Sequence, residues 1–184
     1  MFSNVGGSAL IDVNIIFEKS SIKEGDKIAD LGCGRGGFFV FPAAKIVGKR
    51  GIVYAVDILK NVLSEIKRQA KEENLNNIVT IWSDLEIFGA TQIDSNSLDI
   101  AFLINTLHQS KKKVEILRES IRMVKKEGKL LIVDWKKIAA PFGPPSETKV
   151  NKEALKIAAP KLGLHLEEEF EVGQYHFGLN FTKM

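Results

Sequence analysis

Apolar and polar positions along the chain alternate between two periods, and the alternation repeats. Short runs with the β-branched and aliphatic character of buried strands fall at Lys27 to Leu31, Ile52 to Val56, Ile78 to Trp82, Ser97 to Ile104 and Lys129 to Trp135. Between them lie segments with apolar residues at helical spacing, Phe38 to Val47, Asn61 to Glu73 and Lys111 to Val124. Strand, helix, strand in succession predicts a parallel sheet covered on both faces, an α/β fold of the doubly wound kind. Pro42 is tolerated in the first turn of its helix, where the missing N–H has no intrahelical partner. EGK, Glu127 to Lys129, reads as the turn before the fifth strand.

After Trp135 the texture changes. PFGPPSETK, rich in proline and glycine, predicts a loop, followed by a helix over Asn151 to Lys161 that Pro160 ends and Gly163 closes. Two extended stretches, Leu164 to Val172 and Tyr175 to Lys183, are joined by Gly173 and Gln174 alone, which predicts an antiparallel hairpin. Near the N-terminus, Ser8 to Ser20 shows helical spacing and is expected either to cover a ligand entrance or to pack on the sheet. The expected organisation is one domain over 1–184: a helical lid at 1–26, a cofactor-binding core at 27–135, and an acceptor-side loop, helix and hairpin at 136–184.

Bulk properties narrow the classes. With 184 residues, 45% hydrophobic and 27% charged, the chain suits one core. The longest apolar run, IAFLI at Ile100 to Ile104, is far short of the roughly 20 residues of a membrane span, and no secretory signal pattern is present; a cytoplasmic protein is expected. One cysteine excludes an internal disulfide and a Cys cluster for zinc, and no metal constellation is apparent. The net charge of +3 is spread along helices among acids, which disfavours nucleic acid as a partner; Lys111 to Lys113 is the lone basic cluster.

The chemistry concentrates in IADLGCGRGGF, Ile28 to Phe38, with four glycines in six residues. Gly32, Gly34 and Gly37 satisfy G-x-G-x-x-G, and Asp57 stands twenty residues beyond Gly37, at the end of the second strand, where a carboxylate can accept from two ribose hydroxyls. Three features separate the cofactor classes. Asp30 at the strand end suits an ammonium or sulfonium better than a pyrophosphate. The D-x-G-x-G-x-G form of Asp30, Gly32, Gly34 and Gly36 occurs with Asp84 after the third strand. A terminal hairpin replaces the second mononucleotide half that a dinucleotide fold requires.

With these features the sequence resembles the class I S-adenosylmethionine-dependent methyltransferases, from about Lys27 through Lys183. IADLGCGRGGF resembles the first motif, VYAVDI at Val53 to Ile58 the second, IWSDLE at Ile81 to Glu86 the third, LDIAFLINTLHQ at Leu98 to Gln109 the fourth, and KKEGKLLIVDW at Lys125 to Trp135 the strand that follows. The resemblance implies a Rossmann-like sheet of seven strands with the last inserted antiparallel, and S-adenosylmethionine as cofactor. It implies that the loop Gly32, Cys33, Gly34 and Gly36 passes against the methionine portion with Asp30 near the ammonium. Asp57 would hold the ribose hydroxyls, Ile58 pack on adenine, and Asp84 and Leu85 contact the adenine edge. Asn105 would border the reacting methyl. NTLHQ differs from the N-P-P-Y type of nitrogen methylators and resembles the NxLHH-like stretch of the ubiquinone and menaquinone branch, with Gln109 in place of the second histidine.

Blander roles stand beside these. Asp57 and Asp84 suit helix caps or turns, and Cys33 reads as filler. His108, three residues after Asn105, either serves as a base toward the acceptor or packs in its loop. Trp135, the PFGPP loop, Phe41, Phe142 and Tyr175 either line an apolar acceptor site or belong to the core; His165 is expected at the surface, and His176 is an acceptor-side alternative. The expected function is methyl transfer to a carbon or oxygen of a small molecule, by a homodimer. The alternatives are an NAD-dependent oxidoreductase, a cofactor-binding module without catalysis, and an RNA methyltransferase.

Overall fold

The computed structural model describes residues 10–184. Seven strands form one sheet in the order β3-β2-β1-β4-β5-β7-β6: β1 Lys27–Leu31, β2 Ile52–Asp57, β3 Ile78–Trp82, β4 Leu98–Ile104, β5 Val124–Trp135, β6 Leu164–Glu171 and β7 His176–Lys183. The first five are parallel; β7 inserts antiparallel between β5 and β6. The expected Rossmann-like architecture is therefore observed, and the order reverses between β1 and β4, the place where open α/β sheets bind ligands.

Central strands bury both faces because each carries apolar residues at odd and even positions. Ile28, Val53, Ile100, Phe102, Leu131 and Val133 face one layer, made by α1 Val13–Ser20, α2 Val40–Val47 and α3 Lys60–Glu72. Ala29, Leu31, Ala101, Leu103, Leu130 and Ile132 face the other, made by α4 Lys113–Met123 and α5 Lys152–Ala158.

Several boundaries differ from expectation for local reasons. The turn expected at EGK is absorbed into β5, which starts at Val124; Glu127 adopts φ 64° and the register against β4 shifts between Leu98 and Ile100, so the glycine marks an irregularity inside a strand. The helix expected from Phe38 begins at Val40, after a 3₁₀ turn at Arg35–Gly37. Pro160 leads a 3₁₀ turn over Ala159–Leu162 in place of the last helical turn, and Gly163 caps it with φ 79°. The hairpin link is four residues, Val172 to Tyr175. The expected helix at Ser8 begins only at Val13, with Asp12 capping Asn14, and its first two expected residues lie outside the described ones. Of the two placements offered, α1 takes the sheet: Phe17 packs on Phe39 and Phe102 at centroid distances of 6.5 and 6.2 Å, and Lys19 O accepts from Asn180. Among the described residues no helix is long and apolar enough to cross a membrane.

Candidate active site

A cavity of about 360 Å³ opens at the carboxyl ends of β1 and β4, lined by Asp30, the Gly32 to Gly34 turn, Phe39, Ile104, Asn105, His108, Gln109, Trp135 and Pro144. The loop after β1 is shaped from both sides. Gly32 and Cys33 donate to Val56 O, while Gly34 N–H donates to Asp57 Oδ2 at 2.9 Å. Gly34 and Gly36 adopt φ 62° and 79°, and a Cβ on either would meet no protein atom. Conformation, together with open space above the backbone, accounts for these two glycines. Gly32 is different: its Cβ would lie 2.8 Å from Thr106 Cγ2 and Oγ1, so it is required by a close approach within the protein.

Two side chains at the cavity, that of buried Asp30 and that of half-buried Asn105, carry buried polar atoms without partners. Asp30 is 2% exposed and its Oδ2 makes no hydrogen bond; neither Oδ1 nor Nδ2 of Asn105 makes one. Burial, and then the nearby Asp57, push the Asp30 carboxyl up to about 7. Leaving such groups unpaired is costly, and a ligand bearing a cation beside hydrogen-bonding groups would relieve all three atoms. Asn105 also takes φ 55°, its N–H tied to Val133 O and its carbonyl to Gln109 Nε2, which holds the side chain at the strand tip.

Asp57 accepts from Leu59 N–H as well as from Gly34, so it shapes the turn before α3 and the glycine loop together; it does not cap α3, whose N-cap is Leu59 with no side-chain cap bond. Ile58 projects into solvent. Asp84 Oδ1 accepts from Glu86 N–H, a local turn, and Leu85 is buried. Their loop is anchored from behind by Glu119, wholly buried, which accepts from Gly89 and Thr91 N–H and pairs with Arg122. Its own hydrogen bonds, chiefly to Arg122, outweigh burial and hold Glu119 down at about 2. Cys33 is buried and its thiol is pushed far up by burial, with Asp30 and Asp57 adding to it, so it is an inert wall.

On the acceptor side, His108 Nδ1 lies 2.9 Å from Asp134 Oδ1, and His108 N–H donates to Asp134 Oδ2 at 3.2 Å. Asp134 was not among the residues singled out by sequence; its only sequence signal is a carboxylate closing the apolar run LLIV in a central strand. Trp135 and Pro144 line the cavity, whereas Phe41 sits in the core against Gly37 and Phe39 takes the cavity position instead. Phe142 and Tyr175 pack edge-on at 5.0 Å, outside the cavity wall. His165 is exposed. His176 does not reach the cavity: it is fully buried, with its ring 4.3 Å from Trp135 and no partner for either nitrogen.

The sequence profile of the methyltransferase domain family matches residues 22–172, and the chain belongs to that family. Its fold is that of a solved SAM dependent methyltransferase. The fold superposes on a SAM dependent methyltransferase from Aquifex aeolicus with a TM-score of 0.85 and 27% identity, covering 95% of this chain and 91% of that one. Over 153 residues the chain is 29% identical to aklanonic acid methyltransferase DauC of Streptomyces sp. (strain C5), covering 81% of this chain and 64% of that protein. Over 119 residues it is 32% identical to a protein of Saccharolobus solfataricus named as a probable cobalt-precorrin-6B C(15)-methyltransferase (decarboxylating), covering 64% and 57%. The chain thus spans less than two thirds of the length of these curated relatives.

Proposed function

We propose that the protein transfers a methyl group from S-adenosylmethionine to a carbon or oxygen of a small-molecule acceptor. The observation that carries this reading is the set of buried, unpartnered polar atoms on Asp30 and Asn105, two residues that line one cavity beside the glycine turn. Asp30 takes the cofactor's ammonium, Asn105 the polar atoms of its methionine end, and the Gly32, Cys33, Gly34 and Gly36 backbone passes beneath. Asp57 retains lone pairs for the ribose hydroxyls, since each carboxylate oxygen can accept twice; Ile58 covers one adenine face, and Asp84 with the Leu85 N–H meets the adenine edge. When bound, the cofactor supplies a methyl group on a sulfonium sulfur that departs as a neutral thioether.

The acceptor reading rests on the cavity walls, Phe39, Ile104, Trp135 and Pro144, which suit an apolar small molecule, and on small-molecule acceptors in the names of the relatives. The remainder of the chain keeps the roles expected of it: residues 27–135 as cofactor core and 136–184 as acceptor side, working as a cytoplasmic homodimer, which light scattering would test. The decisive experiment is calorimetric titration with S-adenosylmethionine, S-adenosylhomocysteine and NADH. Binding of both sulfur compounds and not of NADH is expected; NADH binding alone overturns the reading.

A further inference from the structure

We infer that Asp134 is a positioning residue that holds His108 as a general base, and that the acceptor is therefore a phenol or an enolised ring hydroxyl. The inference rests on the methyl-transfer reading and deepens it. Asp134 is fully buried, and each of its oxygens is taken by a main-chain donor: Oδ1 by Trp135 N–H at 2.8 Å, Oδ2 by His108 N–H. The carboxylate cannot swing away from this seat, and as an acceptor it places the His108 ring proton on Nδ1. Nε2 is left with its lone pair. It has no protein partner and is not among the buried unpartnered atoms, so it is accessible on a residue that lines the cavity.

A seated carboxylate behind an imidazole has a chemical use only where the acceptor must lose a proton. A neutral amine already presents its lone pair, and a thiol ionises readily by itself. A phenol, with a pKa of about 10, is about 0.1% ionised at neutral pH, within reach of an imidazole base; an aliphatic alcohol, about as weak an acid as water at ~15.7, is not. In the step, Nε2 takes the hydroxyl proton while the oxygen's electron pair forms the new O–CH₃ bond, and the pair of the breaking S–CH₃ bond stays on sulfur. The resulting imidazolium faces Asp134 directly. The flat walls given by Trp135 and Phe39 suit a planar ring.

The test uses the full chain, labelled with ¹⁵N, and reads the histidine ring nitrogens by NMR at pH 8. The chain has three histidines, and His108→Gln assigns the signal. His108 is expected with its proton on Nδ1 in the wild type, and with the proton moved to Nε2 in a substantial fraction of Asp134→Leu; Asp134→Asn serves if the leucine variant does not fold. With labelled cofactor and a panel of phenols, enolic diketones, anilines, thiols and alkyl alcohols, phenols or enols are expected as acceptors. Their turnover should fall on the order of 10²–10⁴-fold in His108→Gln and Asp134→Asn, with cofactor affinity unchanged. An Nε2 proton in the wild type, acceptors confined to amines, thiols or alkyl alcohols, or no acceptor at all while the cofactor binds, each overturns the inference. Failure to bind the sulfur cofactors instead removes the reading beneath it and is seen separately by calorimetry.

Discussion

Asp57 Oδ2 accepts the Gly34 N–H at 2.9 Å, tying the tip of the second strand to the glycine turn that follows the first. One carboxylate thus shapes the loop, and in the proposed reading the same group holds the ribose hydroxyls. Asp57→Ala should lower S-adenosylmethionine affinity by about 1.5–3 kcal/mol, the loss typical of a charged hydrogen-bond partner, and should also lower the melting temperature of the free protein because Gly34 and Leu59 lose their acceptor. Calorimetry and thermal unfolding measure the two effects; an unaltered dissociation constant would remove Asp57 from the cofactor site.

Gly32 is held by Thr106. At φ +82°, with a Cβ position 2.8 Å from two Thr106 atoms, Gly32→Ala combines backbone strain with a clash. A loss of more than about 1 kcal/mol is expected, about 2–4 °C in melting temperature per kcal/mol for a chain of this size. Thr106→Ala removes both clashing atoms, so the double variant should be more stable than the two single losses added together, with a coupling of about 0.5–3 kcal/mol. Simple additivity in urea unfolding would show that the strain, and not the contact, dominates.

The sheet was readable because central strands were nearly pure in apolar residues and several glycines and prolines marked a change of period; the terminal hairpin followed from Gly173 and Gln174. What failed was local. A glycine such as Gly128 signals a turn or a bulge equally well until the partner strand is known, and the 3₁₀ turn at Arg35–Gly37 looks like helix from its neighbours. At the site, Asp30, Asp57 and Asn105 lie at strand tips, positions that the element order fixes. Asp134 meets His108 through a contact 26 residues apart in sequence, with α4 and most of β5 between them, and periodicity carries no such information. Of the two placements open to Phe41 the core is the one found, and Phe39, which the sequence did not single out, lines the cavity, because a side chain's direction depends on where its helix begins and that start was displaced by two residues.

Asp30 should make cofactor binding depend on pH. Its folded value, about 7, lies above the ordinary 3.8, chiefly through burial and then through Asp57. Between these values the native state holds a proton that the unfolded chain has released, so this group's contribution to stability falls as pH rises across the window, by up to about 1.4 kcal/mol per unit. An ammonium partner reverses the preference and expels the proton. Affinity for S-adenosylmethionine should therefore rise with pH by up to about tenfold per unit below 7 and level off above it. Cys33, Asn105 and His108 line the cavity with Asp30, and Asp57 lies close behind the glycine turn; Asp30→Asn isolates the effect from His108, and calorimetry in buffers of different ionisation heat counts the released proton. No proton release in the wild type would refute an ammonium at Asp30.

His176 should give the opposite slope. Burial is the main cause that takes its imidazole down to about 4, against an ordinary 6.5, and neither nitrogen has a partner. From pH 4 to 6.5 the unfolded chain binds the proton that the native state refuses, so this group's contribution to stability rises with pH across that window and is flat above it. His176→Phe keeps a ring against Trp135 while deleting both orphaned nitrogens and the titration. Any misfit of the larger ring acts equally at all pH values, so the informative quantity is the difference between conditions. The variant should gain about 2 kcal/mol more, relative to wild type, at pH 5 than at pH 8, read from urea midpoints with unchanged m values. Asp30→Asn in the background removes the counter-slope that overlaps this window. A pH dependence between 4 and 6.5 that persists unchanged in His176→Phe would place the titrating group elsewhere and show that the buried imidazole is reached by solvent.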